Sequence, residues 1–257
     1  MHPRDAAAIK ELLRRKVPVA LCTGRMFSGT REVAASFRMA GPVACIDGSH
    51  IFDLHTRGEL SCAAISRESA AFLREALAMF RPATFVFSGD RVIHDAGGER
   101  FLNYLSTWSD VRHRVQDVIH PEAWAKETNV AALVLMGDED SILGTQRALQ
   151  SIIGLQNIVF EVRREDFSGT WGMVVRASGV DKGTAVEWLA QHYGASMDDV
   201  VAVGDWLNDI PMLKRAGQSF AMAQAPLEVK AAAKHLLEAD IWVGGGVAEA
   251  AERAGLI

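Results

Sequence analysis

The chain has 257 residues, enough to bury one large core or two cores of moderate size. Its formal net charge of −5 gives no electrostatic reason to expect a nucleic-acid partner. No apolar run reaches membrane-spanning length, so no membrane association is expected and a cytoplasmic location is the default. Cys22, Cys45 and Cys62 are widely spaced and lack C-x-x-C pairing, which is typical of apolar fillers in a reducing compartment.

The first part of the chain alternates helices with short apolar strands. An amphipathic helix is predicted over 5–16 and a second helix over 30–38. Buried strands are predicted over 17–22 and 42–46, each ending in a loop. This alternation predicts a parallel α/β sheet.

The middle of the chain has a different pattern, in which hairpin signals are mixed with helices. Two hairpins are predicted, 51–54 with 59–60 and 84–87 with 91–94. The other elements predicted here are helices over 68–80 and 141–151 and strands over 130–136 and 158–162. Residues 55–170 are therefore predicted to form an inserted α+β cap domain.

The last part returns to the helix and strand alternation. The predicted elements are strands over 171–176, 200–203 and 220–222 and helices over 182–192, 226–234 and 247–253. We predict an α/β protein whose Rossmann-like parallel sheet core combines 1–54 and 171–257.

An acidic loop directly follows the strand predicted over 200–203. Gly204 allows the backbone to turn, and Asp205, Asn208 and Asp209 follow within five positions. Carboxylate and amide oxygens after a parallel strand favour a site for a hard cation such as Mg²⁺. The alternative is a turn in which Asp209 only caps the next helix, with Pro211 in its first turn.

Two more stretches fall where core strands end or core helices begin. Thr23-Gly24-Arg25 offers a hydroxyl and backbone N–H groups that can bind an anion. Lys182-Gly183 opens a helix with a positive charge suited to a phosphate. Each stretch is weak evidence alone, but together with the acidic loop they supply what phosphoryl transfer needs.

The order T-G-R, D-K-G and G-D-x-x-N-D, with a large insert after the first, resembles the haloacid dehalogenase-like hydrolases. Within them it is similar to the Cof-type sugar-phosphate phosphatase branch, in which an α/β cap follows the third core strand. The resemblance covers most of the predicted core and the C-terminal third, through 221–226. It implies that Thr23 and Lys182 act in catalysis, and that Thr23, Gly24, Lys182 and Asn208 bind the phosphoryl group.

The resemblance also implies a metal and a reaction. Asp205 would ligate Mg²⁺, and Asp209 would support the metal directly or through its neighbours. The expected reaction is hydrolysis of a small phosphomonoester, a sugar phosphate or a similar phosphorylated metabolite, through an aspartyl-phosphate. Residues of the cap would determine which leaving group is accepted, and closure of the cap would exclude water.

The family's nucleophile is missing from this sequence. It belongs to a D-x-D-G-T stretch on a strand ahead of the first helix, and no such stretch is present. Cys45-Ile46-Asp47-Gly48-Ser49 imitates the pattern but stands where the family has its N-G-A turn, and Asp5 lies on the first helix. Our preferred hypothesis is that the sequence starts late, at an internal methionine, and that this chain alone shows no meaningful turnover.

Two other classes of function compete with this interpretation. The first is a catalytically inactive phosphate-ligand binding or interaction module that uses Thr23, Lys182 and Asp205 only to bind. The second, a nucleotide-binding regulator, lacks any G-x-G-x-x-G or P-loop stretch. The oligomeric state and the identity of the phosphomonoester are not predicted.

Separate predictions are made for several aromatic residues and two arginines. Phe85, Phe87, Trp108 and Trp124 are predicted to belong to the cap core, with a platform for the substrate as the alternative. Arg112 and Arg114 are minor candidates for binding an anionic substrate, and Trp206 packs either on the substrate or on a neighbouring helix.

Overall fold

The computed structural model describes residues 2–124, 127 and 129–257, and these form two compact units. The first, called the core unit below, comprises the chain up to Thr23, Arg31–Leu60 and Val180–Ile257. The second, called the insert unit, comprises Gly24–Thr30 and Ser61–Gly179.

The described residues form ten α-helices and twelve strands, which confirms the predicted α/β class, although strands also follow one another directly in several places. The helices are α1 (Pro3–Arg14), α2 (Arg31–Ser36), α3 (Arg67–Phe80), α4 (Leu102–Leu105), α5 (Pro121–Trp124), α6 (Glu139–Leu149), α7 (Lys182–His192), α8 (Ile210–Arg215), α9 (Leu227–Ala232) and α10 (Gly246–Arg253). The strands are β1 (Pro42–Cys45), β2 (His50–Asp53), β3 (Glu59–Cys62), β4 (Ala83–Ser88), β5 (Arg91–His94), β6 (Arg112–Arg114), β7 (Val130–Gly137), β8 (Leu155–Glu161), β9 (Trp171–Ala177), β10 (Val201–Gly204), β11 (Gln218–Ala221) and β12 (His235–Leu236).

The core unit contains parallel and antiparallel strand pairs. β10, β11 and β12 are parallel, with Gly204 opposite Ala221, as predicted for this part of the chain. β1 and β2 are antiparallel because the short turn after Cys45 reverses the chain directly into β2. Helix α7 packs on β1 and on α8, where Ala185 and Val186 lie in two neighbouring apolar clusters.

The prediction of a buried strand over 17–22 is wrong. This segment makes one parallel bridge, between Cys22 and Ala44, with hydrogen bonds from Ala44 N–H to Leu21 and from Thr23 N–H to Ala44. Its side chains are half-buried, apart from the exposed Pro18. A continuous apolar run is typical of a strand that is paired on both sides and buried on both faces. In the described part of the chain, this segment pairs only with β1.

The insert unit is built on one six-stranded sheet in the order β6-β5-β4-β7-β9-β8. β7 is buried along its whole length at the centre, and α3 and α6 pack against each other over one apolar cluster. Phe85 and Phe87 are not part of this cluster, but both are fully buried, which confirms the prediction that they lie in the interior of this unit. The assignment of 171–176 to the core was wrong, because β9 pairs with β7 and β8 inside this sheet.

Among the described residues, no helix is both long and apolar enough to cross a membrane.

Candidate functional site

The lysine predicted to bind phosphate is the first residue of α7. Asp181 caps this helix by accepting a hydrogen bond from the Thr184 N–H at 2.8 Å, and the Thr184 hydroxyl accepts one from the Asp181 N–H. This capping box fixes where the helix begins. As a result the side chain of Lys182 is buried within the core unit instead of extending into solvent.

Lys182 faces two carboxylates. Its Nζ donates to Oδ1 of Asp209 at 2.6 Å and lies 3.9 Å from Oδ1 of Asp47. Burial lowers the pKa of Lys182, but the carboxylates of Asp209 and Asp47 outweigh that effect and raise the pKa above its ordinary value. The site therefore holds a permanent ammonium at neutral pH.

Asp209 orders the acidic loop. Its Oδ2 accepts hydrogen bonds from the backbone N–H groups of Asp205 and Trp206, both at 2.9 Å. Asp209 precedes α8 as predicted, but its side chain does not cap that helix. The capping interpretation was wrong because the buried carboxylate is already engaged by Lys182 and the loop.

Gly204 makes this packing possible. A Cβ at this position would lie 2.6 Å from the Cβ of Asp209 and 2.8 Å from its carboxyl carbon. Any larger residue would therefore push Asp209 away from the loop. The glycine that the sequence suggested for turning the backbone is needed here for close approach.

Asp205 presents its carboxylate at the end of β10. The residue is exposed, and its Oδ2 accepts a hydrogen bond from Nε2 of Gln224 at 3.2 Å. Gln224 in turn accepts the backbone N–H of Ile241 at 3.1 Å. Gln224 was missed as a site residue, although its place shortly after β11 puts it at the same edge of the sheet.

Asn208 does not point to Asp205 but to Asp47. Its Nδ2 donates to Oδ1 of Asp47 at 2.7 Å. Asp47 was also missed as a site residue, because its turn was interpreted only by its likeness to a family motif. The signal was available, since Asp47 follows the carboxyl end of a buried strand as Asp205 does.

The turn that carries Asp47 has an unusual backbone. Ile46 and Asp47 have φ angles of 50° and 52°, in the left-handed region that a β-branched residue such as isoleucine rarely adopts. Gly48 follows with φ of 96°, and a Cβ there would lie 2.7 Å from the Cβ of Ala185. Strained backbone of this kind persists where surrounding contacts hold it.

Thr23 lies beside this turn. Its carbonyl accepts the Asp47 N–H at 2.9 Å, so the end of segment 17–22 is joined to the Asp47 turn. Gly24 belongs to the insert unit, with the rest of Gly24–Thr30. Its predicted role at the phosphate stays a prediction.

Cys45 and Asp5, which were considered as replacements for the missing nucleophile, are poorly suited to attack a phosphoryl group, and so is Cys22. Burial raises the pKa of the Cys22 thiol to about 12, so the thiolate is scarce at neutral pH. Cys45 is fully buried. Asp5 caps α10 instead, accepting hydrogen bonds from the N–H groups of Gly245, Val247 and Ala248.

The two arginines predicted as candidates in the insert unit have partners there. Nη2 of Arg112 donates to the Leu102 carbonyl at 3.1 Å, and Nε of Arg114 donates to Glu99 at 2.7 Å. Trp206 is 52% exposed, so it does not pack closely within the core unit.

The donors at this edge of the core unit fit a hard divalent cation. Asp47 and Asp209 place two carboxylates beside the ammonium of Lys182, and Asp205 follows β10 on the loop that Asp209 holds through its backbone. Their oxygens are the ligands Mg²⁺ prefers, and Asp205 has the carboxylate that is exposed. Both carboxylate oxygens of Asp209 already accept hydrogen bonds, one from Lys182 and the other from two backbone N–H groups. This favours a role in which Asp209 holds the loop of Asp205 and does not itself bind the cation.

The family profile described as "haloacid dehalogenase-like hydrolase" matches residues 1–250. The chain belongs to the haloacid dehalogenase-like hydrolases. This confirms the family inferred from the three motifs, and the relatives described next support its Cof-type branch.

Among curated proteins, the HMP-PP phosphatase of Cronobacter sakazakii is 26% identical over 230 residues, which are 89% of this chain and 80% of that protein. An Escherichia coli O157:H7 HMP-PP phosphatase is 33% identical over 108 residues, which cover 42% of this chain but only 38% of that protein. Among solved structures, a phosphatase of the haloalkanoate superfamily from Bacteroides thetaiotaomicron aligns with a TM-score of 0.81 at 21% identity. That alignment covers 100% of this chain and 89% of the other, and it shows the shared fold.

Proposed function

We propose that this protein acts in the Mg²⁺-dependent hydrolysis of a small phosphomonoester, a sugar phosphate or a similar metabolite. The observation that carries the proposal is the buried ammonium of Lys182 between Asp209 and Asp47, with Asp205 and Asn208 on the connected loop. Membership of a hydrolase family and the phosphatase names of the two curated relatives support it.

The charges at the site support a metal requirement. The carboxylates of Asp47 and Asp209 outnumber the ammonium of Lys182, and Asp205 on the connected loop adds further negative charge, which disfavours a phosphate anion. A divalent cation held by Asp205 would offset this charge and polarise a phosphoryl oxygen. Asp209 would hold the Asp205 loop in place by accepting hydrogen bonds from the backbone N–H groups of Asp205 and Trp206.

The remaining residues have distinct roles in this proposal. Lys182 and Asn208 bind phosphoryl oxygens, the first through charge and the second through an amide N–H. Thr23 binds the same group with its hydroxyl, and Gly24 with its backbone N–H. These groups position the phosphoryl group and stabilise the charge that develops on it.

The chemical step in this proposal uses an aspartate nucleophile and forms an aspartyl-phosphate. The 257-residue sequence contains no D-x-D-G-T stretch to supply that aspartate. We therefore expect the purified chain to bind Mg²⁺ and phosphate but to release phosphate from esters only at the background rate.

The same observation favours a second candidate, an inactive module that binds a phosphorylated ligand through Thr23, Lys182 and Asp205. Phosphate release by the protein isolated from its own cells separates the two functions. A phosphatase would hydrolyse small phosphomonoesters only with Mg²⁺, and an Asp205→Ala allele would lose that activity. Tight ligand binding with background release would support the module, and absence of both would contradict both functions.

The expected inactivity of the purified chain is tested by measuring phosphate release from an aryl phosphate. Mg²⁺-dependent release that Asp205→Ala abolishes would show that the chain is active and would contradict the expected inactivity.

A further inference from the structure

One carboxylate oxygen accepts a hydrogen bond from one of the side chains proposed to bind phosphate and lies close to the charge of another. Oδ1 of Asp47 lies 2.7 Å from Nδ2 of Asn208 and 3.9 Å from Nζ of Lys182. An acceptor oxygen that faces an amide N–H and an ammonium has the same partners as a phosphoryl oxygen. Asp47 therefore engages the Asn208 donor directly and holds a negative charge close to the ammonium of Lys182, where the phosphate is proposed to bind.

The backbone around Asp47 holds this arrangement. Asp47 has a φ of 52°, its N–H donates to the Thr23 carbonyl at 2.9 Å, and Gly48 packs against Ala185 of α7. The side chain is only 14% exposed, so its charge is poorly screened by water. The carboxylate thus has a fixed position beside Lys182 in the core unit.

We propose that Asp47 occupies the place of a phosphate oxygen on Lys182 and Asn208, so that the site binds phosphate well only after a divalent cation has bound. This inference rests on the proposed function and adds a residue that sets the order of binding. Without the cation, phosphate must displace a carboxylate and approach its negative charge. With the cation, the added positive charge offsets that of Asp47, and the two donors become available.

The substitution that isolates the charge is Asp47→Asn. Asparagine tolerates a positive φ as aspartate does, and its amide oxygen still accepts from Asn208. Asp47→Gly is a second variant that also suits the positive φ and removes the side chain altogether. Asp198→Asn is the matched control, since Asp198 is exposed and lies before β10, at the opposite end of that strand from Asp205.

The experiment is equilibrium dialysis of the purified chain with radiolabelled inorganic phosphate, in EDTA and in excess Mg²⁺. In EDTA we expect Asp47→Asn to bind phosphate at least ~10-fold more tightly than the unchanged chain, because a like charge close to the anion is removed. In Mg²⁺ the difference should shrink to less than about threefold, because the cation already offsets the Asp47 charge. Asp47→Gly should change in the same direction, and Asp198→Asn should match the unchanged chain.

The inference is overturned if Asp47→Asn binds phosphate no more tightly than the unchanged chain in EDTA. It is also overturned if the unchanged chain binds phosphate equally well with and without Mg²⁺, a result that needs no variant to fold.

Lys182→Met separates this inference from the proposed function. If that variant loses phosphate binding in Mg²⁺ while Asp47→Asn has no effect, the proposed site stands and only the role of Asp47 fails. If Lys182→Met binds phosphate as well as the unchanged chain, the proposed function fails with it.

Discussion

Nζ of Lys182 lies 2.6 Å from Oδ1 of Asp209, and both side chains are buried in the core unit. Lys182→Met removes the cation and leaves a buried carboxylate without its ionic partner. Breaking a buried pair in this way costs roughly 3–5 kcal/mol of unfolding free energy. Urea denaturation at pH 7 measures that loss, and a loss below about 1 kcal/mol would show that the pair does not stabilise the fold.

The same pair predicts a pH dependence. The pKa of Lys182 is raised above its ordinary value of 10.5 in the folded chain. The pair therefore stabilises the fold fully below pH 10.5 and loses this contribution as the pH rises through the raised value. The stability difference between the unchanged chain and Lys182→Met should stay constant from pH 7 to 9.5 and shrink above pH 10.5. A difference that grows with pH would contradict the assignment.

Gly204→Ala tests the close approach of β10 to Asp209. The new Cβ would lie 2.6 Å from the Cβ of Asp209, so the carboxylate must move away from the Asp205 and Trp206 N–H groups. We expect a loss of about 1–3 kcal/mol in unfolding free energy, as for overpacked cores, together with weaker Mg²⁺ binding. Gly58→Ala is the control, since Gly58 is exposed and a Cβ there meets only the Thr56 hydroxyl, at 3.3 Å. Equal effects of the two substitutions would contradict the packing argument.

Asp5→Ala tests the structural role of the carboxylate that caps α10. Its carboxylate accepts hydrogen bonds from three backbone N–H groups at the start of α10, with N···O distances of 2.8 to 3.1 Å. Leaving buried N–H groups without an acceptor costs about 1–3 kcal/mol each, so we expect a total loss of at least ~2 kcal/mol by urea denaturation. Phosphate affinity per folded molecule should not change. Asp198→Ala, at an exposed position, should leave stability within ~0.5 kcal/mol.

Gln224→Met tests how the exposed carboxylate of Asp205 is oriented. The substitution keeps the length of the side chain but removes the donor that lies 3.2 Å from Oδ2 of Asp205 and the acceptor for Ile241. Loss of a partner that orients a metal ligand typically costs about 10-fold or more in affinity. Calorimetric titration with Mg²⁺ should show this loss without a shift in the melting temperature larger than a few degrees. Unchanged Mg²⁺ affinity would mean that Gln224 does not orient Asp205.

The sequence predicted most elements because their signals are local. The helix predicted over 182–192 matches α7 at both ends, since Asp181 caps it through Thr184 and the apolar spacing is regular. The hairpin of 84–87 with 91–94 also forms, around the turn residues Gly89 and Asp90.

The errors arose where the outcome depends on distant partners. Segment 17–22 has the composition of a buried strand, but its neighbours decide whether it is one, and it pairs with β1 through a single bridge. Residues 171–177 have the composition of a core strand, yet they pair with β7 and β8 of the insert unit. The composition of a strand therefore does not predict which sheet the strand will join.

The site was predicted in part for the same reason. Lys182, Asp205, Asn208 and Asp209 could be proposed from the sequence because their motifs are contiguous in it. Asp47 lies 161 positions from the asparagine that it contacts, so only the fold brings the two together. The carboxylate charge that it adds near Lys182 was therefore absent from the sequence-based account.

We propose that Asp205 and Lys182 belong to one site in which a divalent cation and a phosphate bind together. The most direct measurement is calorimetric titration of inorganic phosphate into the purified chain, with Mg²⁺ and with EDTA, for the unchanged chain, Asp205→Asn and Lys182→Met. We expect Mg²⁺ to strengthen phosphate binding at least ~10-fold in the unchanged chain, Asp205→Asn to remove that gain, and Lys182→Met to weaken binding in both conditions. Phosphate binding that is indifferent to Mg²⁺ and to both substitutions would contradict the account.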